Sequence, residues 1–224
     1  MHFDLQHQAL SQSVSLCSVC CLWLIWLDSK LLTCLCLLQA CCSNVYISQL
    51  LIFDPALKRQ FWRFLSYTLL HADLPHLLLN ICLQCLVGLS LECEQGHWKI
   101  AFIYITGGIS GSLATLILQP QLSLLGASAG IYSLLMSHVP HLVKNFSQLP
   151  YRCFRIAALI VLWLSDAGFT TFHFLVNHNE NPRICLDAHI AGGVVGLLLG
   201  SVLYTRWDKR KLRKYWPGEK ILIV

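Results

Sequence analysis

The chain has 224 residues, of which 56% are apolar and 12% charged, and its net charge is +5. Ordinary soluble domains carry about a quarter charged residues, so this composition excludes one with a normal polar shell. It points instead to helices solvated by lipid, inside which every backbone group must find its partner within the protein.

Residues 1–52 hold two apolar stretches, Val14 to Leu27 and Leu31 to Ile52, separated by Asp28 and Lys30. The basic segment that opens a cleaved secretory signal is missing before Val14, and one spanning helix is expected from this region. Cys17, Cys20, Cys21, Cys34, Cys36, Cys41 and Cys42 lie here. Cys17 and Cys20 form a CxxC with no second pair and no histidine cluster at ligand spacing, so neither a disulfide framework nor a metal site is expected. From Phe53 to Leu74 charge mixes with aromatics, as in Lys58, Arg59, Phe61, Trp62, Arg63 and Phe64. That mixture suits an interfacial loop with its rings at headgroup level.

Five apolar segments follow, at about Pro75 to Leu91, Ile100 to Leu118, Gly126 to Val143, Ile156 to Phe174 and Ala188 to Tyr204. Polar linkers at Glu92 to Lys99, Lys144 to Arg155 and Asn177 to Asp187 separate some of them. With the N-terminal helix, the sequence predicts an all-α polytopic transmembrane bundle of about six spans. Residues 1–52 supply the first helix, 53–204 the core and 205–224 a basic tail. Arg206, Lys209, Arg210, Lys211, Arg213 and Lys214 crowd that tail. Such a run also suits nucleic acid, but beside an apolar segment it marks the cytoplasmic side, and no nucleic-acid partner is expected. Alternation then puts Lys144, Arg152 and Arg155 in the cytoplasm as well. Trp62, His76, Ser128 and His189 fall at the opposite, lumenal or extracellular, end.

Gly126-Ala127-Ser128-Ala129-Gly130 matches GxSxG, the pattern of a nucleophile elbow between a strand and a helix. The surrounding segments show no strand–helix alternation, and small residues also fill helix contacts in membranes. His189 opens the last apolar segment, where an imidazole is costly unless it meets water or a partner. Gly192 shares its helical face, and Gly196 and Gly200 continue at intervals of four. A second helix beginning at Ser128 could approach such a stripe closely enough for serine and histidine to bond. From Ser128 to Pro140 the serine helix rises only about 18 Å, which predicts a start below the membrane surface with orphan amides nearby. His76 and Asn80 share a face four residues apart, either as polar packing or as donors to a developing oxyanion. Asp166 lies inside a span and reads as a packing or hydration site. Asp187 lies two residues before His189 on a helix and so faces away from it.

With Trp62-Arg63, His76 through Asn80 (HxxxN), Gly126 to Ser128 (GxS) and Ala188-His189 with Gly192 (AHxxG), residues 53–204 resemble the rhomboid intramembrane proteases, most of all the animal secretase-type branch. The resemblance implies a serine endopeptidase with Ser128 as nucleophile and His189 as general base. His76, Asn80 and the Ser128 amide would form the oxyanion hole and Tyr132 would pack on the His189 ring, with Gly126, Gly192 and Gly196 in support. It implies single-pass membrane proteins as substrates within the lipid bilayer, no metal or organic cofactor, and a secretory-pathway or plasma membrane; it is silent on oligomeric state. The runner-up expectation is a weak or inactive relative that binds membrane clients and controls their trafficking or degradation. Two departures stand out: Ala129 replaces the family's usual glycine, and the tail after Tyr204 holds no seventh span.

Overall fold

The computed structural model describes residues 45–71, 74–147, 149, 152–177 and 185–206, with side chains omitted at 45–47, 74–78, 81, 82, 89, 93, 166, 167 and 169–177. The first expected span therefore lies mostly outside the described residues, which open on a short helix α1 (Val45–Leu51).

The predicted interfacial loop is a tightly bonded connector. Phe53 is fully buried and pairs antiparallel with Leu124 through backbone bonds of 3.1 and 2.9 Å. Asp54 then accepts from the Ala56 amide at 2.9 Å and opens a 3-10 turn at Pro55–Leu57, where proline supplies the right φ. The four-residue α2 (Arg63–Ser66) follows, and another 3-10 turn at Tyr67–Leu69. Arg63 is 5% exposed, and its guanidinium donates to the carbonyls of Gln49 (2.7 Å) and Ile52 (2.6 Å) and to the Gln60 side chain (2.6 Å). A cation is favourable there, beside the unpaired carbonyls ending α1. Phe61 and Trp62 remain exposed on the outer face.

Five long helices make the bundle: α3 (Leu74–Gln95), α4 (His97–Leu118), α5 (Ser128–Asn145), α6 (Arg152–Asn177) and α7 (Leu186–Leu203). Each predicted segment is one of them, with shifted ends. Glu92 to Gln95 belong to α3, and the break falls at Gly96, whose φ of 92° favours glycine. Pro140 does not shorten the serine helix as expected. The helix runs 18 residues to Asn145, about 27 Å at 1.5 Å per residue, so its start need not lie deep in the bilayer. Proline sacrifices one backbone bond, but its ring seats against Gly200, where an added Cβ would lie 2.9 Å from Pro140 Cγ.

Helix α7 packs along α5 and α4, and α3 packs on α5 and α4. Val87, Leu91, Ile100, Ile103, Leu134 and Tyr204 anchor the common core. Helix α6 joins through Ile156, Leu159 and Leu162 and turns Phe154, Val161 and Trp163 outward. Helices α4 and α7 have the length and mean hydropathy, 1.7 each, of membrane crossings. Large exposed apolar side chains such as Ile117, Val143 and Val202 give the bundle an outer surface that water would not favour.

Candidate active site

Ser128 is the first residue of α5. The chain enters this helix through Gly126, whose φ of 119° is reached without strain only by glycine. The Gly126 amide donates to the Tyr67 carbonyl at 3.1 Å, and the Tyr67 hydroxyl donates to the Gly108 carbonyl at 2.7 Å. Burial raises the Tyr67 phenol far above its ordinary pKa, so it remains a neutral donor. The connector, α4 and the turn before Ser128 thus meet at one tyrosine.

His189 is the fourth residue of α7, and its Nε2 lies 2.8 Å from Ser128 Oγ. Tyr132, one turn beyond Ser128 on the same face, stacks on the imidazole with ring centroids 4.3 Å apart and planes 12° from parallel. The stack holds the ring's orientation and covers one of its faces. Backbone contact is what brings the two helices so near. A Cβ on Gly192 would overlap the Ala129 carbonyl, and one on Gly196 would overlap the Ser133 carbonyl. The glycine stripe therefore lets α7 lie directly on α5.

Ala129 is helical, and its methyl fills the space above Gly111, where a Cβ would come within 2.6 Å of it. Asn80 is buried on α3. The His76 side chain lies outside the described residues, as does that of Asp166, so neither is placed relative to Ser128. Asp187 faces away from the dyad and accepts from Gln119 Nε2 at 2.5 Å. Among the described residues, no three of His, Cys, Asp or Glu converge as metal ligands.

Sequence reasoning passed over Tyr67 and a polar network at the other end of α5. There the Glu94 carboxylate, 5% exposed, accepts from Arg155 at 2.5 and 2.9 Å and from His141 Nε2 at 2.6 Å. Gln95 donates to His141 Nδ1 at 3.1 Å, which leaves Nε2 as the ring's donor. Gln95 also exchanges bonds with the Thr205 backbone, and Lys144 donates to the carbonyls of Ser201 and Tyr204 at the end of α7. The available signal was His138 and His141, three residues apart in an apolar helix.

Residues 58–206 match the family model of the Rhomboid domain. The chain is 39% identical over 163 residues to Rhomboid-related protein 1 of Caenorhabditis elegans, covering 73% of this chain and 46% of that protein. It is 33% identical over 171 residues to Rhomboid-related protein 2 of Mus musculus, covering 74% and 56%. It is also 28% identical over 145 residues to Inactive rhomboid-related protein 2 of C. elegans, covering 65% and 41%. The chain spans about half the length of the curated relatives it matches.

Proposed function

The chain belongs to the rhomboid family of membrane proteins, and on that basis we propose that it is a serine endopeptidase acting on single-pass membrane proteins. The observation that carries the proposal is the 2.8 Å contact of Ser128 Oγ with His189 Nε2 beneath the Tyr132 ring. In that arrangement serine attacks a peptide carbonyl while histidine takes its proton, then returns the proton to the leaving amine. Water then releases the acyl group by the same route. The oxyanion forms at the start of α5, where helix amides lack intrahelical partners and the helix dipole is positive. Asn80 and His76, one turn apart on α3, are the proposed side-chain donors. Basic residues Lys144, Arg152 and Arg155 at the other end favour a cytoplasmic location for that end, and hence a lumenal or extracellular reaction. The secretory pathway or plasma membrane is the proposed location.

Similarity to a protein named inactive favours a second reading, in which the bundle binds membrane clients without cutting them. One experiment separates the two. Purified protein is treated with a serine-directed fluorophosphonate and, separately, mixed with a single-pass substrate. The peptidase reading expects labelling at Ser128, with cleavage abolished by Ser128→Ala and by His189→Ala and no further loss in the double variant. Cleavage that survives Ser128→Ala, with host proteases excluded, sinks it.

A further inference from the structure

We infer that Gln119 and Asp187 clamp the first turn of α7 and are positioning residues for His189, an inference that rests on the peptidase reading. The observation behind it is a stripe that runs along α4 to its C-cap, Gln119. Gly107, Gly111, Thr115 and Gln119 recur at intervals of four and so share one face. They meet, in order, Ser133 of α5, then Ala129 and Ala188, then Cys185, then Asp187. The first two positions are bare, so the side chains of Ser133, Ala129 and Ala188 close on them. The last two make bonds: Thr115 Oγ1 lies 3.2 Å from Cys185 Sγ, and Gln119 Nε2 donates to Asp187 Oδ2 at 2.5 Å. One face of α4 therefore seats both the serine end of α5 and the histidine end of α7.

The glycine contacts alone do not fix where His189 points. Gly192 and Gly196 set how closely α7 approaches α5, but a face without side chains offers nothing to resist roll or slide. At 100° per residue Asp187 lies about 200° around the helix from His189. Its bond to Gln119 consequently pulls from the side opposite the dyad. Held there, α7 cannot roll without breaking a bond to an ionised carboxylate, which is stronger than a neutral one. Asp187 also sits in the first turn of α7, where a negative charge suits the helix dipole.

Kinetics of the full chain in detergent test the clamp. Asp187→Ala and Gln119→Ala should each lower kcat about ten- to a hundredfold, with KM within about twofold, the mark of a displaced catalytic group. The double variant should be no worse than the poorer single, because both break one bond. Asp187→Asn, which still accepts from Gln119, should recover most of the turnover. A second measurement needs no peptidase activity. In a Ser128→Cys background, His189 draws the proton from the new thiol and speeds its alkylation by iodoacetamide near neutral pH. Asp187→Ala should slow modification at position 128, read by peptide mass spectrometry, and Asp187→Asn should not. If the wild-type chain neither labels nor cleaves, the peptidase reading falls, and the alkylation arm still decides the clamp. Unchanged alkylation and turnover in Asp187→Ala overturn it, as do losses that multiply in the double variant or an Asn variant as poor as Ala.

Discussion

The two ends of α5 are held by different physics. At its N-terminus Ser128 bonds to the His189 ring and Tyr132 stacks on it, and the helix lies in backbone contact with Gly192 and Gly196. At its C-terminus His141, Lys144 and Asn145 are all bonded, and Glu94 and Arg155 bring a buried ion pair. The difference is instructive. A serine and histidine that were also tying helices together could not exchange a proton without loosening the structure. Close backbone packing on glycine seats the Ser128 end of α5, whereas an ion pair and its hydrogen bonds hold the opposite end.

The comparison breaks most readily at Gly196. Gly196→Ala places a methyl on the Ser133 carbonyl, and neither backbone can yield without the helices parting. Gly196 lies two turns from His189 and does not touch the serine, yet a displacement near 1 Å should cost about a hundredfold or more in kcat. Turnover with a single-pass substrate and the rate of fluorophosphonate labelling should fall together. Normal turnover in Gly196→Ala would show that some other contact sets the dyad distance.

Glu94→Gln tests the opposite end. It removes the carboxylate that pairs with Arg155 and His141, of which the latter is fully buried. Breaking a buried pair costs about 3 kcal/mol at the low end of the usual range, which applies because Arg155 keeps some solvent. The expected result is a lower unfolding temperature in detergent with kcat unchanged at temperatures where the chain stays folded. A fall in kcat without loss of stability would erase the division between the two ends.

The long helices were legible because each is a sustained apolar run, and the Ser128–His189 contact because two short motifs and a glycine stripe encode it locally. Pro140 misled because local propensity favours an end there, whereas its seat on Gly200 is a tertiary fact. The far network was invisible for a related reason. Glu94, His141 and Arg155 come from three helices, and each charge near a span end read as part of a polar linker. Asn145 shows how such a reading misses its cause. It belongs to a glycosylation sequon, Asn145-Phe146-Ser147, which the charge pattern of the sequence would leave unmodified by placing that loop on the cytoplasmic side. The structure adds a separate reason, since Asn145 is 1% exposed and its amide donates to the His141 carbonyl at 3.1 Å. A silent sequon therefore says little about topology.

The smallest effect is expected at Ala129, where the chain departs from the glycine usual in its family. If that position needed positive φ, alanine would be strained and glycine would raise activity. It lies instead in the first turn of α5, where alanine is the better helix former. Its methyl occupies the space left by Gly111, and its carbonyl, not its side chain, meets Gly192. Ala129→Gly leaves that carbonyl and the Ser128–His189 bond in place, so turnover should stay within about twofold of the wild type. The cost should appear in stability, at about 1 kcal/mol for lost packing and helix propensity, or about 2–4 °C in Tm for a chain of this size. Thermal unfolding and kinetics on one preparation would read both. A large gain in turnover would mean that the backbone beside the nucleophile is strained by alanine, and that shape at the reactive end is not yet fitted to catalysis.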